Sequence, residues 1–282
     1  MSATSVQSAQ PKSKSKPIPE PAKAVFVYDR TNNTVRESIN ADMIVPIASI
    51  TKLMTVYVVL ESHAPLDEFI TIVPQKIENS HVLRGGMRVS RQTLIELSLI
   101  ASDNLAAKTL ALNDPEGYQS FINRMNSTAQ QLGMENTNYI EPTGLLLNTS
   151  TAKDLHLLNQ ALTKYSAFSD TAMSKTSTVI VKDKRGFWQK LVIRNTNLFA
   201  GSHDIKVGKT GFTNPAGFCI DMLIHHGNHV FDIVVLGSPN KETRNRFVAE
   251  KLKEHMNYIT TRAVMQKIDK FDEIPELEFF SK

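Results

Sequence analysis

The sequence predicts an α+β protein: an antiparallel sheet flanked by helices, with an all-helical lobe inserted between its strands. Three observations point to this. Strand-like alternation and turn residues occupy both ends of the chain, helical periodicity fills the middle, and one early helix is apolar around most of its circumference.

Taken in order, Ala24 to Tyr28 alternates like a strand, Asn32-Asn33 signals a turn, and Thr34 to Ser38 returns as the second strand of a hairpin. After a break at Pro46, Ser49 to Leu60 reads as a helix whose apolar residues leave little polar face, the pattern of a buried central helix. Helical periodicity resumes from Arg91 to Leu112 with an interruption at Ser102-Asp103-Asn104. Asp114-Pro115 forms an N-cap and first-turn pair, and Gly133 a C-cap, bracketing the next helix. Thr151 and Asp154 have capping-box spacing for a helix reaching about Lys164. Strands then follow at Thr178 to Val181 and Trp188 to Ile193, around a turn at Asp183 to Gly186. Three more, Ile205 to Thr210, Phe218 to Ile224 and Val230 to Leu236, precede a closing helix from Lys241 to about Ile259. The expected organisation is one catalytic domain. Residues 23–75 and 165–262 hold the sheet, 76–164 form the helical lobe, 1–22 are a disordered basic tail, and 263–282 are an acidic tail.

Composition narrows the function. Hydrophobic residues make up 41% of the 282 and charged residues 21%, as in ordinary globular proteins. The run Val56 to Leu60 is far shorter than the roughly 20 apolar residues that span a bilayer, so no integral membrane segment is expected. The single Cys219 excludes an internal disulfide. Of the net charge of +4, most belongs to the first 23 residues, where Lys12, Lys14, Lys16 and Lys23 face Glu20 alone. The remainder is nearly neutral, which argues against nucleic acid as a partner. His225, His226 and His229 lack a companion ligand set at metal-binding spacing and read as polar residues of a hairpin tip. No metal or cofactor is expected.

The pattern S-x-x-K occurs at Ser13/Lys16, Ser49/Lys52, Ser150/Lys153 and Ser238/Lys241, and only Ser49/Lys52 opens a buried helix. At a helix N-terminus, free backbone N–H groups and the dipole stabilise developing negative charge. Three residues on, Lys52 shares a face with Ser49, and apolar surroundings disfavour its ammonium form, so it can act as a base. Ser102-Asp103-Asn104 interrupts a helix and can point its side chains into a cleft. Lys209-Thr210-Gly211 ends a strand, and Gly211 lets a substrate backbone come close.

The order S-x-x-K, S-D-N, K-T-G is the signature of penicillin-binding proteins and class A β-lactamases. The segments around Pro46 to Met54, Pro142-Thr143-Gly144-Leu145, Asn148 to Leu155, and Asn195 to Leu198 resemble the serine D,D-peptidases of low molecular mass. The resemblance spans Ala24 to Ile259 and implies a transpeptidase/β-lactamase-like fold. It also implies an acyl-enzyme route on the D-Ala-containing stem peptides of peptidoglycan. Carried over, Ser49 is the nucleophile, Lys52 its base, and Ser102 the relay to the leaving amine. Asn104, Lys209, Thr210 and Gly211 bind substrate, the N–H groups of Ser49 and Phe212 form the oxyanion hole, and Lys209 raises the cost of charging Lys52. β-Lactams are the implied covalent inhibitors and other cell-wall enzymes the implied protein partners. The implied setting is periplasmic, with a signal peptide, absent from this chain, removed.

Phe212 after Lys209-Thr210-Gly211, and a chain ending in an acidic stretch where carboxypeptidases add a β-rich domain and an amphipathic anchor, favour the D-alanyl-D-alanine endopeptidase branch. A carboxypeptidase, a class A-like β-lactamase using Glu141 as deacylation base, and a non-catalytic penicillin-recognising module are the alternatives.

Overall fold

The computed structural model describes residues 21–78, 80–165, 168, 173–202 and 204–256. Asn33, at a φ of 53°, turns β1 (Ala24–Asp29) into β2 (Thr34–Ile39). These join β9 (Ile205–Thr213), β10 (Gly217–His226) and β11 (His229–Ser238) in one antiparallel sheet of order β2-β1-β11-β10-β9. The ladder runs Val25 opposite Val235, Asp221 opposite Val234, and Cys219 opposite Gly211. Successive residues of β10 and β11 are buried, which requires cover on both faces. Helices α5 (Ala152–Leu162) and α6 (Lys241–Met256) both pack on these two strands.

A 3₁₀ turn, Ala48–Ile50, leads into α1 (Thr51–Glu61). Every residue of α1 from Thr51 to Val59 is buried, so the sequence's lack of a polar face is explained by a central position. Around it pack α2 (Arg91–Leu99), α3 (Asn104–Leu112), α4 (Tyr118–Gln131) and α5. The break between α2 and α3 falls where the sequence places it: Ser102 takes a φ of 56°, and the Asp103 carboxylate caps α3 by accepting from the Ala106 N–H.

The α+β class holds, and several details differ from expectation. The 176–194 hairpin does not join the five-stranded sheet. Its strands β7 (Thr176–Lys182) and β8 (Trp188–Arg194) extend a second sheet of order β4-β5-β7-β8, with β4 (Phe69–Thr71) and β5 (Arg88–Ser90). A hairpin satisfies its own ladder locally, and its outer partner is a tertiary choice that periodicity does not encode. The 76–164 lobe is not purely helical either. It holds β5 and β6 (Thr149–Ser150), the latter pairing with β3 (Val45–Pro46), and both are too short to show alternation. α4 starts three residues after Pro115, at Tyr118 beyond Gly117, because the Asp114 carboxylate is used in a turn to Glu116 N–H and an ion pair with Arg124. Of the tail expected over 1–22, Pro21 and Ala22 are described: the Pro21 carbonyl accepts from the Ser238 hydroxyl, and Ala22 is buried. The rest of the basic tail, the helix beyond Met256 and the acidic tail lie outside the described residues.

The capping box at α5 is half formed. Thr151 Oγ1 accepts from Asp154 N–H at 2.9 Å, while the Asp154 carboxylate turns away to Asn136 N–H and the Thr137 hydroxyl. Thr151→Ala is expected to lower unfolding free energy by about 1 kcal/mol in urea titration, without altering the m-value.

Candidate active site

The nucleophile turn is built by pressure from both sides. Ala48 sits at a φ of 47°, a conformation that costs a non-glycine residue free energy and persists only when neighbours enforce it. Those neighbours are two glycines. A Cβ on Gly211 would lie 3.0 Å from Ile47 O and from Ser49 N, and one on Gly144 would lie 2.0 Å from Ala48 O. Gly211 therefore makes room for the protein's own backbone, whereas the sequence suggested room for a substrate. Gly144, not singled out as a site residue from sequence, is the tighter of the two contacts.

Ser49 emerges from this turn, and Lys52, one turn along, donates from Nζ to Ser49 Oγ at 2.7 Å. The same ammonium nitrogen donates to Asn104 Oδ1 and to the Thr143 carbonyl, each at 2.7 Å. Lys52 is wholly buried, and burial pulls its pKa down to about 7 against the opposing fields of Glu141 and Asp103. Loss of hydration, expected from the apolar surroundings of this helix, is the dominant cause, and the Lys209 charge, expected to add to it, is not among the main contributors.

Both partners of Lys52 other than Ser49 are pure acceptors, which fixes the geometry of the neutral amine. Its two N–H bonds stay on Asn104 Oδ1 and Thr143 O, and its lone pair faces the Ser49 hydroxyl, which then donates to it. The arrangement is that of a serine with a base already aimed at its proton.

Lys209, in β9, donates to Ser102 Oγ at 2.9 Å and to the Thr210 carbonyl at 2.7 Å. Burial, then the charges of Lys52 and Arg244, press its pKa well below the ordinary lysine value. An arriving carboxylate would reverse that pressure. Thr210 Oγ1 shares a 2.7 Å hydrogen bond with Thr196 Oγ1, and Thr196 is held through its N–H to Ile100 O. Ser49, Ser102, Asn104, Thr210, Gly211 and Phe212 line one cleft of about 350 Å³, with Lys52 and Lys209 reaching it from beneath through their hydrogen bonds. The three sequence segments thus meet, although the Ser49 hydroxyl bonds Lys52 while Lys209 reaches Ser102.

The amide of Asn104, expected to face substrate, is engaged at both ends, since its Nδ2 donates to Glu78 O at 2.7 Å. Phe212 is half exposed and stacks on Phe218, with ring centroids 4.2 Å apart. His81, Lys241 and Arg244 also line the cleft, and of these His81 and Arg244 carried no sequence signal. Arg244 is held by donating to the Cys219 carbonyl and to Asn245 Oδ1. Lys241, in the fourth S-x-x-K pattern, reaches the cleft only because α6 starts beside it. The three clustered histidines lie at the β10–β11 turn, outside the cleft, with His226 Nδ1 3.1 Å from Asp204 Oδ2.

Glu141 is buried, and its carboxylate is fully occupied. It accepts from Thr143 N–H and Oγ1 and from Gly144 N–H, and Asn148 Nδ2 lies 3.3 Å away. These bonds bend the loop that presents the Thr143 carbonyl to Lys52 and seats Gly144 on Ala48. A carboxylate so engaged has no free lone pair directed at a water beside Ser49.

A model of the D-alanyl-D-alanine carboxypeptidase family, peptidase S11, matches residues 10–240. The chain is 38% identical over 253 residues to a D-alanyl-D-alanine endopeptidase of Pseudomonas aeruginosa, covering 86% of this chain and 80% of that protein. It is 37% identical over 227 residues to one of Escherichia coli, covering 78% and 72%. Among solved structures, penicillin-binding protein D2 of Listeria monocytogenes in its cefotaxime-bound form superposes with a TM-score of 0.72 at 30% identity, covering 83% of this chain and 96% of that one. The Streptomyces K15 DD-transpeptidase gives 0.76 at 26% identity with the same coverage.

Proposed function

The chain belongs to the D-alanyl-D-alanine carboxypeptidase family, and from that premise we propose that it is a periplasmic D,D-endopeptidase that opens D-Ala–diaminopimelate cross-links of peptidoglycan. It is a serine D,D-peptidase that works through an acyl-enzyme. The observation that carries the assignment of residues is the 2.7 Å contact between Lys52 Nζ and Ser49 Oγ beside a lined cleft.

Neutral Lys52 takes the Ser49 proton as Oγ attacks the D-Ala carbonyl. The oxyanion that forms is held by the backbone N–H groups of Ser49 and Phe212, each donor of such a pair being worth roughly 10²–10³ in rate. Collapse expels the amine, which takes its proton through Ser102, and water then hydrolyses the ester. Lys209 and Thr210 receive the carboxylate beside the scissile bond, and Asn104, while fixing Lys52, borders the substrate amide. A β-lactam undergoes the same attack, but its leaving amine stays tethered in the opened ring, so the ester persists.

The endopeptidase reading rests on the names of the 31–38% identical relatives and on the Phe212–Phe218 platform at the cleft mouth, which suits a leaving group larger than D-Ala. No helix among the described residues is long and apolar enough to cross a membrane. A peptidoglycan substrate supports the reading of a periplasmic enzyme that works among other cell-wall enzymes. The engaged Glu141 speaks against turnover of β-lactams.

Digestion of purified dimeric muropeptides is expected to yield monomers, faster than pentapeptide monomers lose their terminal D-Ala. Mass spectrometry of penicillin-treated protein is expected to find the adduct on the Ser49 peptide, stable for minutes or longer. Release of D-Ala from pentapeptides at the greater rate would make the protein a carboxypeptidase, and rapid penicillin turnover would make it a lactamase.

A further inference from the structure

We propose that the β7–β8 hairpin is a membrane-surface anchor that docks this enzyme on anionic phospholipid. Antiparallel register puts Thr178 opposite Val192, Ile180 opposite Lys190, and Lys182 opposite Trp188, so these residues share one face of the hairpin. The other face, with Val179, Val181 and Ile193, is buried in the core. On the outward face Ile180, Trp188 and Val192 are 49%, 57% and 67% exposed, and Phe187 at the turn is 64% exposed. Phe69 of β4 continues the patch, edge-on to Trp188 with ring centroids 5.3 Å apart. Among the described residues the only other exposed large aromatic ring of this kind is Phe212, which belongs to the cleft. A contiguous apolar surface of this sort marks an interaction site.

Charge identifies the partner. Between Lys182 and Arg194 the chain carries Lys182, Lys184, Arg185, Lys190 and Arg194 against a single acid, Asp183. That acid is consumed in the turn, accepting from Arg185 N–H and Phe187 N–H, and these backbone bonds hold its carboxyl below the usual range. The cations stand beside the rings: Lys182 Nζ lies 5.3 Å from the Trp188 ring centre, and the Arg185 guanidinium 5.5 Å from that of Phe187. Trp and Phe flanked by Lys and Arg suit a bilayer interface. The rings sit at headgroup depth and the cations meet lipid phosphates. The folded part is close to neutral overall, so this basic concentration is local to the hairpin. Ladder pairing joins the hairpin to β5 at Arg88 opposite Lys182, next to the turn, so the tip is held against β5 while its outward side chains stay exposed.

The chain has one tryptophan, and it is Trp188, so its fluorescence reports this contact alone. Full-length protein mixed with vesicles of equal parts phosphatidylglycerol and phosphatidylcholine is expected to cosediment. Trp188 emission should move to the blue and be quenched by lipids brominated in their acyl chains, while pure phosphatidylcholine gives neither effect. Lys184→Glu with Arg185→Glu should lower partitioning by roughly fivefold for each cation removed, and more for the reversal. Phe187→Ser should weaken it while muropeptide cleavage in solution stays unchanged, because these residues lie outside the cleft. Cosedimentation without a Trp188 shift would assign binding to the lysines of the N-terminal segment and overturn the proposal. So would binding that survives the double charge reversal. A Trp188 shift produced by an acidic aromatic peptide and not by vesicles would replace the lipid with a protein partner.

Discussion

Lys52→Met is expected to slow acylation of Ser49 by penicillin by about 10²–10⁴-fold, the range that a positioned general base contributes. Lys52→Arg should do no better, because a guanidinium stays protonated and cannot accept the serine proton. In the native enzyme the base works only when neutral, and burial sets its pKa at about 7. The acylation rate constant should therefore climb about tenfold per pH unit below 7 and level off above it. Glu141 holds that pKa up, so Glu141→Gln should move the limb to lower pH, while a looser Gly144 loop lowers the plateau. Stopped-flow labelling with a fluorescent penicillin across pH 5–9 reads both effects; a flat profile, or an unmoved limb in Glu141→Gln, would remove Lys52 from the role of base. Stability carries the matching signature. Unfolded Lys52 titrates near 10.5 and folded Lys52 near 7, so between those values the unfolded chain binds more protons at this position. The contribution of this group to stability therefore rises with pH through that window.

The buried central helix was legible because its composition leaves no polar face, and the broken α2–α3 run because Ser102-Asp103-Asn104 cannot continue a helix comfortably. Both features are local, and both supply the cleft. What sequence could not show is how distant segments press on one another. Gly211 and Gly144 look like ordinary turn residues until Ile47 and Ala48 are placed against them, and Gly211 was assigned to the substrate for that reason. The cause of the lysine's lowered pKa was legible in its apolar helix, whereas the fields of Glu141 and Asp103 that oppose it come from distant segments that only the assembled core brings near. The partner of the 176–194 hairpin was also invisible, since one ladder pair with β5 decides it. Glu141 shows the limit most clearly. From sequence it stands as a rival catalytic base, and only the hydrogen bonds from Thr143, Gly144 and Asn148 show it as the residue that shapes the loop.

That loop leads to the other large effect. Gly144→Ala is expected to lower acylation of Ser49 by on the order of 10²–10³-fold, comparable to losing one oxyanion donor or displacing a reacting group by about 1 Å. The added methyl would sit 2.0 Å from Ala48 O, 2.2 Å from Ala48 C and 2.8 Å from Ser49 N, all backbone atoms that cannot swing aside. Either the loop withdraws, carrying the Thr143 carbonyl away from Lys52, or the turn shifts and takes Ser49 N–H with it. Both routes damage the site, one through the base and the other through the oxyanion donor. A loss from backbone strain alone must be separated from this, because Gly144 has a φ of 84°. Gly117 supplies the comparison: its φ is 88°, and nothing lies within 4 Å of where its Cβ would stand. Gly117→Ala should cost about 1–2 kcal/mol of stability for the left-handed backbone and leave acylation unchanged. Equal acylation rates in the two variants, each checked as folded by circular dichroism, would mean that contact between the 141–144 loop and the Ser49 turn does not hold the nucleophile in place.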